Sequence, residues 1–165
     1  MSGIEEIAIK IGLAALLSGI VGAEREWTGQ WAGLRTHMLI AVGATLLTHI
    51  STTFGSIYHG GSNAWDPSRM AAEIVSGIGF LGAGTIIQSR GRVHGLTTAA
   101  GLWVAAAIGI AVGAKYYKEA ALTSIALLVI LAALRPLERR VLSRGKKKVA
   151  EDEDEGQGKS KPGPY

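Results

Sequence analysis

LTTAAGLWVAAAIGIAVGA, the run Leu96–Ala114, contains no charged side chain. A helix needs roughly 20 mainly apolar residues to cross a hydrocarbon core about 30 Å thick, so this run reads as a membrane span. Working outward, four more apolar runs flank it. Toward the N-terminus lie Ile7–Ala23, broken only by Lys10, then Met38–Phe54 with His49, and Met70–Gln88 with Glu73. Beyond it lies Ala120–Leu134, which ends at Arg135-Pro136. The polar links between these runs are short, and a chain of 165 residues could not bury all five in a soluble core. The expectation is an all-α integral membrane bundle of about five short transmembrane helices, with four as the alternative because the second and fifth runs are marginal in length.

Composition agrees. Residues of the AVILMFWYC set make up 48% of the chain and charged residues 18%. The mean hydropathy is +0.27. Glycine, at 23 residues, is about twice as frequent as usual, as in membrane helices. With no cysteine there is no disulfide framework, thiolate metal site or Cys nucleophile. No cleavable signal peptide is expected, because Met1–Glu6 is acidic rather than basic.

The charges are sorted by face. With five spans, Arg25, Arg35, Arg90, Arg92 and the C-terminal tail fall on one side, which then holds thirteen of the 17 Lys and Arg residues. Lys10, Arg69, Lys115 and Lys118 fall on the other. The positive-inside rule puts the N-terminus outside and the tail in the cytoplasm. Trp27, Trp31, Tyr58, Trp65, Tyr116 and Tyr117 fall where interfacial rings are favoured. The membrane domain is read as 1–142. The tail, 143–165, has a basic run at Lys146–Lys148, an acidic run at Glu151–Glu155 and then Gly, Ser, Lys and Pro. Such a tail cannot bury apolar area, and disorder is expected. Its basic run suits an anionic lipid surface.

Lipid gives apolar helices little reason to associate, so small residues mark where backbones meet. The fourth run carries Gly101, Ala105, Gly109 and Gly113 at spacing four. The first has Ala15, Gly19 and Ala23, and the third Ala72, Ser76, Gly79 and Ala83. The pattern predicts tight packing without saying whether the neighbour is the same chain or a second copy, and a homodimer is expected.

Glu73 is the sharpest single residue. Asp66-Pro67 reads as a helix start, with Asp as N-cap and Pro at the first helical position. Glu73 then lies roughly 10 Å into the span. An ionisable group there is a functional candidate by default, as a cation ligand together with Asp66 or as a proton carrier. The structural alternative is a neutral carboxyl, or one paired with Arg69. Gly77-Ile-Gly79-Phe-Leu-Gly82 matches G-x-G-x-x-G, but no βαβ unit surrounds it, so it reads as helix packing or a helix break rather than a dinucleotide site. His49 reads as a satisfied polar residue. His37, His59 and His94 show no metal spacing. No nucleophile, base and orienter can be assembled, so no enzyme is expected, and no nucleic-acid partner either.

Three stretches together resemble the MgtC/SapB family of bacterial and archaeal membrane proteins. They are Gly22-Ala-Glu-Arg-Glu26 with Ala32-Gly-Leu-Arg-Thr-His37; Asp66-Pro-Ser-Arg-Met-Ala-Ala72 running on to Gly84; and Gly95-Leu-Thr-Thr-Ala-Ala100 with Leu102-Trp103. The match runs from about Gly12 to Leu134. The resemblance implies a small inner-membrane bundle linked to magnesium limitation. It implies a regulator of other membrane proteins, the F-type ATP synthase among them, rather than a secure transporter. By position it assigns function to Arg25, Glu26, Arg35, Thr36, Asp66, Arg69 and Thr97. Two departures stand out. Many members have Gln where this chain has Glu73, and many carry a folded cytoplasmic domain for which 143–165 is too short and too polar. The favoured reading is a regulator that needs no cofactor. The alternative is a cation transporter or channel, with Mg²⁺ the ion that Asp66 and Glu73 would suit as oxygen ligands.

Overall fold

The computed structural model describes residues 3–57, 66–89 and 92–134. The tail, Tyr58, Trp65, Arg90 and the boundary at 142/143 lie outside them. Two compact units divide the chain, Met1–Leu128 and Val129–Tyr165. The described part of the second is the end of one helix, residues 129–134. The description below concerns the first unit.

Five helices and one hairpin occur among the described residues. They are α1 (Gly3–Trp27), α2 (Leu34–Ile57), α3 (Pro67–Gly84), β1 (Ile87–Ser89), β2 (Arg92–His94) and α4 (Leu96–Gly113), then α5 (Tyr117–Leu134). Four of them, α1, α2, α4 and α5, are long and apolar enough to cross a membrane. The chain is a multi-pass membrane protein. α3 has 18 residues, as α4 does, but Arg69 and Glu73 lower its hydropathy below that of the other four.

α1 and α2 extend past the apolar runs read from sequence. At its start α1 takes in Glu5 and Glu6, charges of the favourable sign for its dipole, and at its end Glu24, Arg25 and Glu26. The third run is shorter than its apolar length suggests. α3 ends at Gly84, where the Thr85 hydroxyl and backbone N–H both bond back to the Gly82 carbonyl. Gln88, taken as the end of that span, instead pairs with Val93 in an antiparallel hairpin. Gly95 joins the hairpin to α4 at φ +89°, and a Cβ there would strike the Thr85 carbonyl oxygen. Gly77, Gly79 and Gly82 lie within continuous α3, so G-x-G-x-x-G marks no helix break.

α4 is the central element. Gly101, Ala105, Gly109 and Gly113 are all buried. A Cβ on Gly109 would run into the Ala41 carbonyl oxygen, and one on Gly113 would stand 2.7 Å from the Thr45 carbonyl oxygen. The Thr45 hydroxyl donates to the Gly109 carbonyl at 2.9 Å. The neighbour of this small-residue face is therefore α2 of the same chain. α1 meets α2 in the same way, with Gly22 so close that a Cβ would lie 2.8 Å from the Leu34 Cα. Ala14, Ala41, Ile108, Val112 and Ala120 form the core where the helices meet. The Ser124 hydroxyl of α5 donates to the Leu17 carbonyl at 2.8 Å.

α3 is different. Ile78 and Gly82 are its only buried residues. Gly82 lies 3.5 Å, from an ideal Cβ, to the Cβ of Ala99 at the start of α4. Ala72, Ser76, Gly79 and Ala83 are all exposed.

Candidate functional site

Two of the three sequence stretches singled out above meet at one end of the helices. α1 ends in Gly22-Ala-Glu-Arg-Glu-Trp27, α2 begins with Leu34-Arg-Thr-His37, and α4 begins with Leu96-Thr-Thr98. Gly22 allows α1 and α2 to touch backbone to backbone, and the loop between them folds back tightly. The Gly29 and Gln30 N–H groups donate to the Glu26 and Arg25 carbonyls at 3.0 and 2.9 Å. A Glu26 carboxylate oxygen accepts from the Leu34 N–H at 2.8 Å, satisfying one of the free donors at the start of α2. A carboxylate there also favours the helix dipole.

Arg25 is buried, and its Nε–H donates to the Glu24 carboxylate. His37 is wholly buried. Its Nδ1–H donates to the Gly33 carbonyl at 3.0 Å, while Ser18 donates to the His37 carbonyl at 3.0 Å. That bond assigns the Nε2 of the neutral ring as an acceptor. Nε2 faces Gly101 and has no hydrogen-bond partner among the described residues. Thr98 is buried beside it, with its hydroxyl 3.5 Å from the Gln30 Oε1. Around this buried polar floor stand exposed groups. Trp27 is 94% exposed and Trp31 69%. Arg35 and Thr97 are exposed, and Thr36 is partly so.

The expected residues thus divide by role. Arg25 and Glu26 hold the loop in shape, and Arg35, Thr36 and Thr97 lie around it. His37, Gln30 and Thr98 belong to the same cluster and were not picked out from sequence. A signal was available in the adjacency of His37 to Arg35-Thr36, and of Thr98 to Thr97.

Asp66, Arg69 and Glu73 lie elsewhere, on α3. The Asp66 carboxylate accepts from the Ser68 N–H at 2.9 Å as the N-cap of α3, and hydrogen bonding by the Ser68 hydroxyl and this N–H holds its pKa below the ordinary value. Glu73 is exposed on α3 and lines a groove of about 480 Å³ between α2 and α3, with Leu39, Gly43, Leu47, Gly77 and Leu81. Among the described residues no ion pair joins Glu73 to Arg69. No group of three or more His, Asp or Glu side chains with metal-holding geometry occurs among them either.

A second polar cluster lies at the opposite end of α1, α2 and α4, about 22 Å from Arg25 along α1. Lys10 is completely buried. Its ammonium donates to the His49 Nδ1 at 3.0 Å and to the Gly113 carbonyl at 3.1 Å, and pairs with Glu6 at 3.0 Å. Lys115, in the turn after α4, also pairs with Glu6, at 2.9 Å. The Glu6 carboxylate draws the Lys115 pKa above its ordinary value. His49 is the satisfied polar residue expected from sequence. Lys10 and Glu6 escaped notice because an isolated Lys in an apolar run looks like an interruption. Lys10 and His49, ionisable groups in different spans, were the signal, since such groups pair inside a membrane.

Residues 11–140 match the model of the MgtC family. The chain is 46% identical over 124 residues to Protein MgtC of Brucella abortus, covering 75% of this chain and 49% of that protein. It is 42% identical over 128 residues to Protein MgtC of Salmonella typhimurium, covering 78% and 52%. It is 39% identical over 140 residues to the Escherichia coli protein named "Putative magnesium transporter YhiD", covering 84% and 65%. The chain therefore spans half to two thirds of the length of these relatives. No solved structure matches it. By its sequence, the chain belongs to the MgtC family.

Proposed function

We propose that this protein is a non-catalytic regulator in magnesium homeostasis, and that it docks another membrane protein through the end formed by Trp27–His37 and the start of α4. The observation that carries this reading is the division of labour at that end. Arg25, Glu26 and the buried His37 use their polar atoms to hold the loop in shape. Trp27, Trp31 and Arg35 are left pointing outward from a rigid base. Aromatic and arginine side chains on a preorganised surface are the residue types that dominate protein interfaces. The name of the Escherichia coli relative supplies the link to magnesium. We place this end in the cytoplasm and the Lys10 end outside, in the inner membrane. Arg25, Arg35 and Arg92 gather at the first end, and Lys10 and Lys115 at the second.

The test is Arg35→Ala in a low-magnesium growth complementation assay, with the amount of folded, membrane-inserted protein measured alongside. Activity is expected to fall at least tenfold with protein level unchanged. Full complementation would end the docking reading.

Cation transport has an observation of its own, the Glu73 carboxylate on the α2–α3 groove. Saturable Mg²⁺ flux into proteoliposomes, lost in Glu73→Gln, would establish it. Its absence from inserted, folded protein would leave the regulator.

A further inference from the structure

α3 lies beside α2 and α4 at membrane depth, yet Arg69 is exposed and Glu73 is exposed at the edge of the α2–α3 groove. The α2–α3 groove places α3 in depth: Leu39 and Leu81 line it, as do Leu47 and Met70, so the two helices run antiparallel over the same stretch. Opposite the buried Ile78 and Gly82, an outward ridge at helical spacing runs through Arg69, Glu73, Ser76, Phe80 and Ala83. All five are exposed, and Phe80 is 82% exposed. A carboxylate and a guanidinium turned toward hydrocarbon are costly, and such groups face protein or water in spanning helices. Within the helix they do not pair. Arg placed four residues before Glu is also the weaker of the two orders for an i,i+4 pair.

We infer that a second copy of this chain covers the outward ridge of α3, with Arg69 of each copy paired to Glu73 of the other across a two-fold axis. The charges are self-complementary, as an isologous interface requires. The two residues are four apart, about 6 Å along the axis, which an arginine side chain spans. The backbone is open along both flanks of that ridge. A Cβ at Gly77, Gly79 or Gly84 would meet nothing within 4 Å, and Ala72, Ser76 and Ala83 complete a surface on which a second helix can approach closely. The groove at Gly77 leaves room for the Phe80 ring of the second copy. This surface is separate from the loop proposed to dock a partner, and neither reading depends on the other.

The chain has no cysteine, so single thiols can report the interface. Ser76→Cys and Ala83→Cys on α3 would be oxidised in native membranes beside Leu122→Cys on α5, where the native leucine is 71% exposed. The α3 variants are expected to give a disulfide-linked dimer and the α5 variant none. Glu73→Arg should weaken self-association at least tenfold, and the exchange Arg69→Glu with Glu73→Arg should restore it. If the charge reversal prevents insertion, Glu73→Gln and the thiol series remain, both judged on protein shown to be in the membrane. Equal crosslinking at Leu122, no dimer from either α3 thiol, or a crosslink to a different protein would each overturn the proposal.

Discussion

α3 and α4 have the same length and both are rich in glycine and alanine, but they use these residues in opposite ways. α4 turns its small residues inward. Gly109 and Gly113 let its backbone meet that of α2, and Thr45 bonds to the carbonyl exposed there. α3 turns Ala72, Ser76, Gly79 and Ala83 outward and buries only Ile78 and Gly82. Small residues at helical spacing thus mark where a backbone can be approached, and what stands opposite decides whether that approach is made within the chain. For α4 the opposing helix is α2 of the same chain, which fits against it although α3 and the hairpin lie between them in sequence. For α3, the exposed Arg69 and Glu73 are the charges that the proposed second copy would cover.

The sharpest way to test this contrast is one substitution on each helix. Gly109→Leu forces a side chain into the Ala41 carbonyl and the Ala44 methyl, where neither helix can yield without losing the Thr45 bond. A loss of roughly 3 kcal/mol is expected, at the upper end for overpacked cores. Gly79→Leu meets open space, so its effect on the stability of a single chain should stay within about 0.5 kcal/mol. Thermal unfolding in detergent reads both. Equal losses would show that α3 is as enclosed as α4.

Lys10→Met extends the comparison to charge. Lys10 is enclosed, with partners on α2 and at the end of α4, whereas Glu73 forms no ion pair among the described residues. Methionine keeps the length and apolar stem but leaves His49 and the Gly113 carbonyl without their donor. A cost of about 2 kcal/mol is expected for buried groups left unsatisfied. Glu73→Gln, by contrast, should leave the unfolding temperature of the single chain unchanged. A silent Lys10→Met would mean that the cluster at that end is ornamental to the fold.

Much of this architecture was legible in the sequence because hydropathy and charge act over long runs. Charge-free Leu96–Ala114 is α4 with one residue to spare, and Asp66-Pro67 is the N-cap and first residue of α3. What escaped was set by tertiary contact. The hairpin pairs only three residues on each strand, too few for an alternating pattern to show in Ile87–His94. The neighbour of the Gly101–Gly113 face depends on α2, which local spacing does not report. At the candidate site, Arg25 and Glu26 were recognisable, but the burial of His37 against Gly101 exists only once α4 lies across α2. Lys10 and His49, 39 residues apart in sequence, meet for the same reason.

The smallest expected effect concerns how the two helices begin. α4 starts at Gly95 with no side-chain cap, while α3 starts at Asp66, whose carboxylate accepts the Ser68 N–H. Hydrogen bonding by the Ser68 hydroxyl and N–H lowers the Asp66 pKa from its ordinary 3.8. The ionised form is therefore favoured in the folded helix. Its stabilisation is complete above the ordinary value and is lost as pH falls through the folded one. The first turn of α3 should then fray in acid while the first turn of α4 does not. Asparagine caps nearly as well as aspartate and does not titrate. Asp66→Asn should keep the Ser68 amide protected at all pH, and Asp66→Ala should lose that protection even near neutrality. Hydrogen exchange at Ser68, corrected for the intrinsic rate at each pH, separates the three chains. Equal acid sensitivity in wild type and Asp66→Asn would place the titrating group elsewhere and leave the start of α3 held by its packing rather than by its cap.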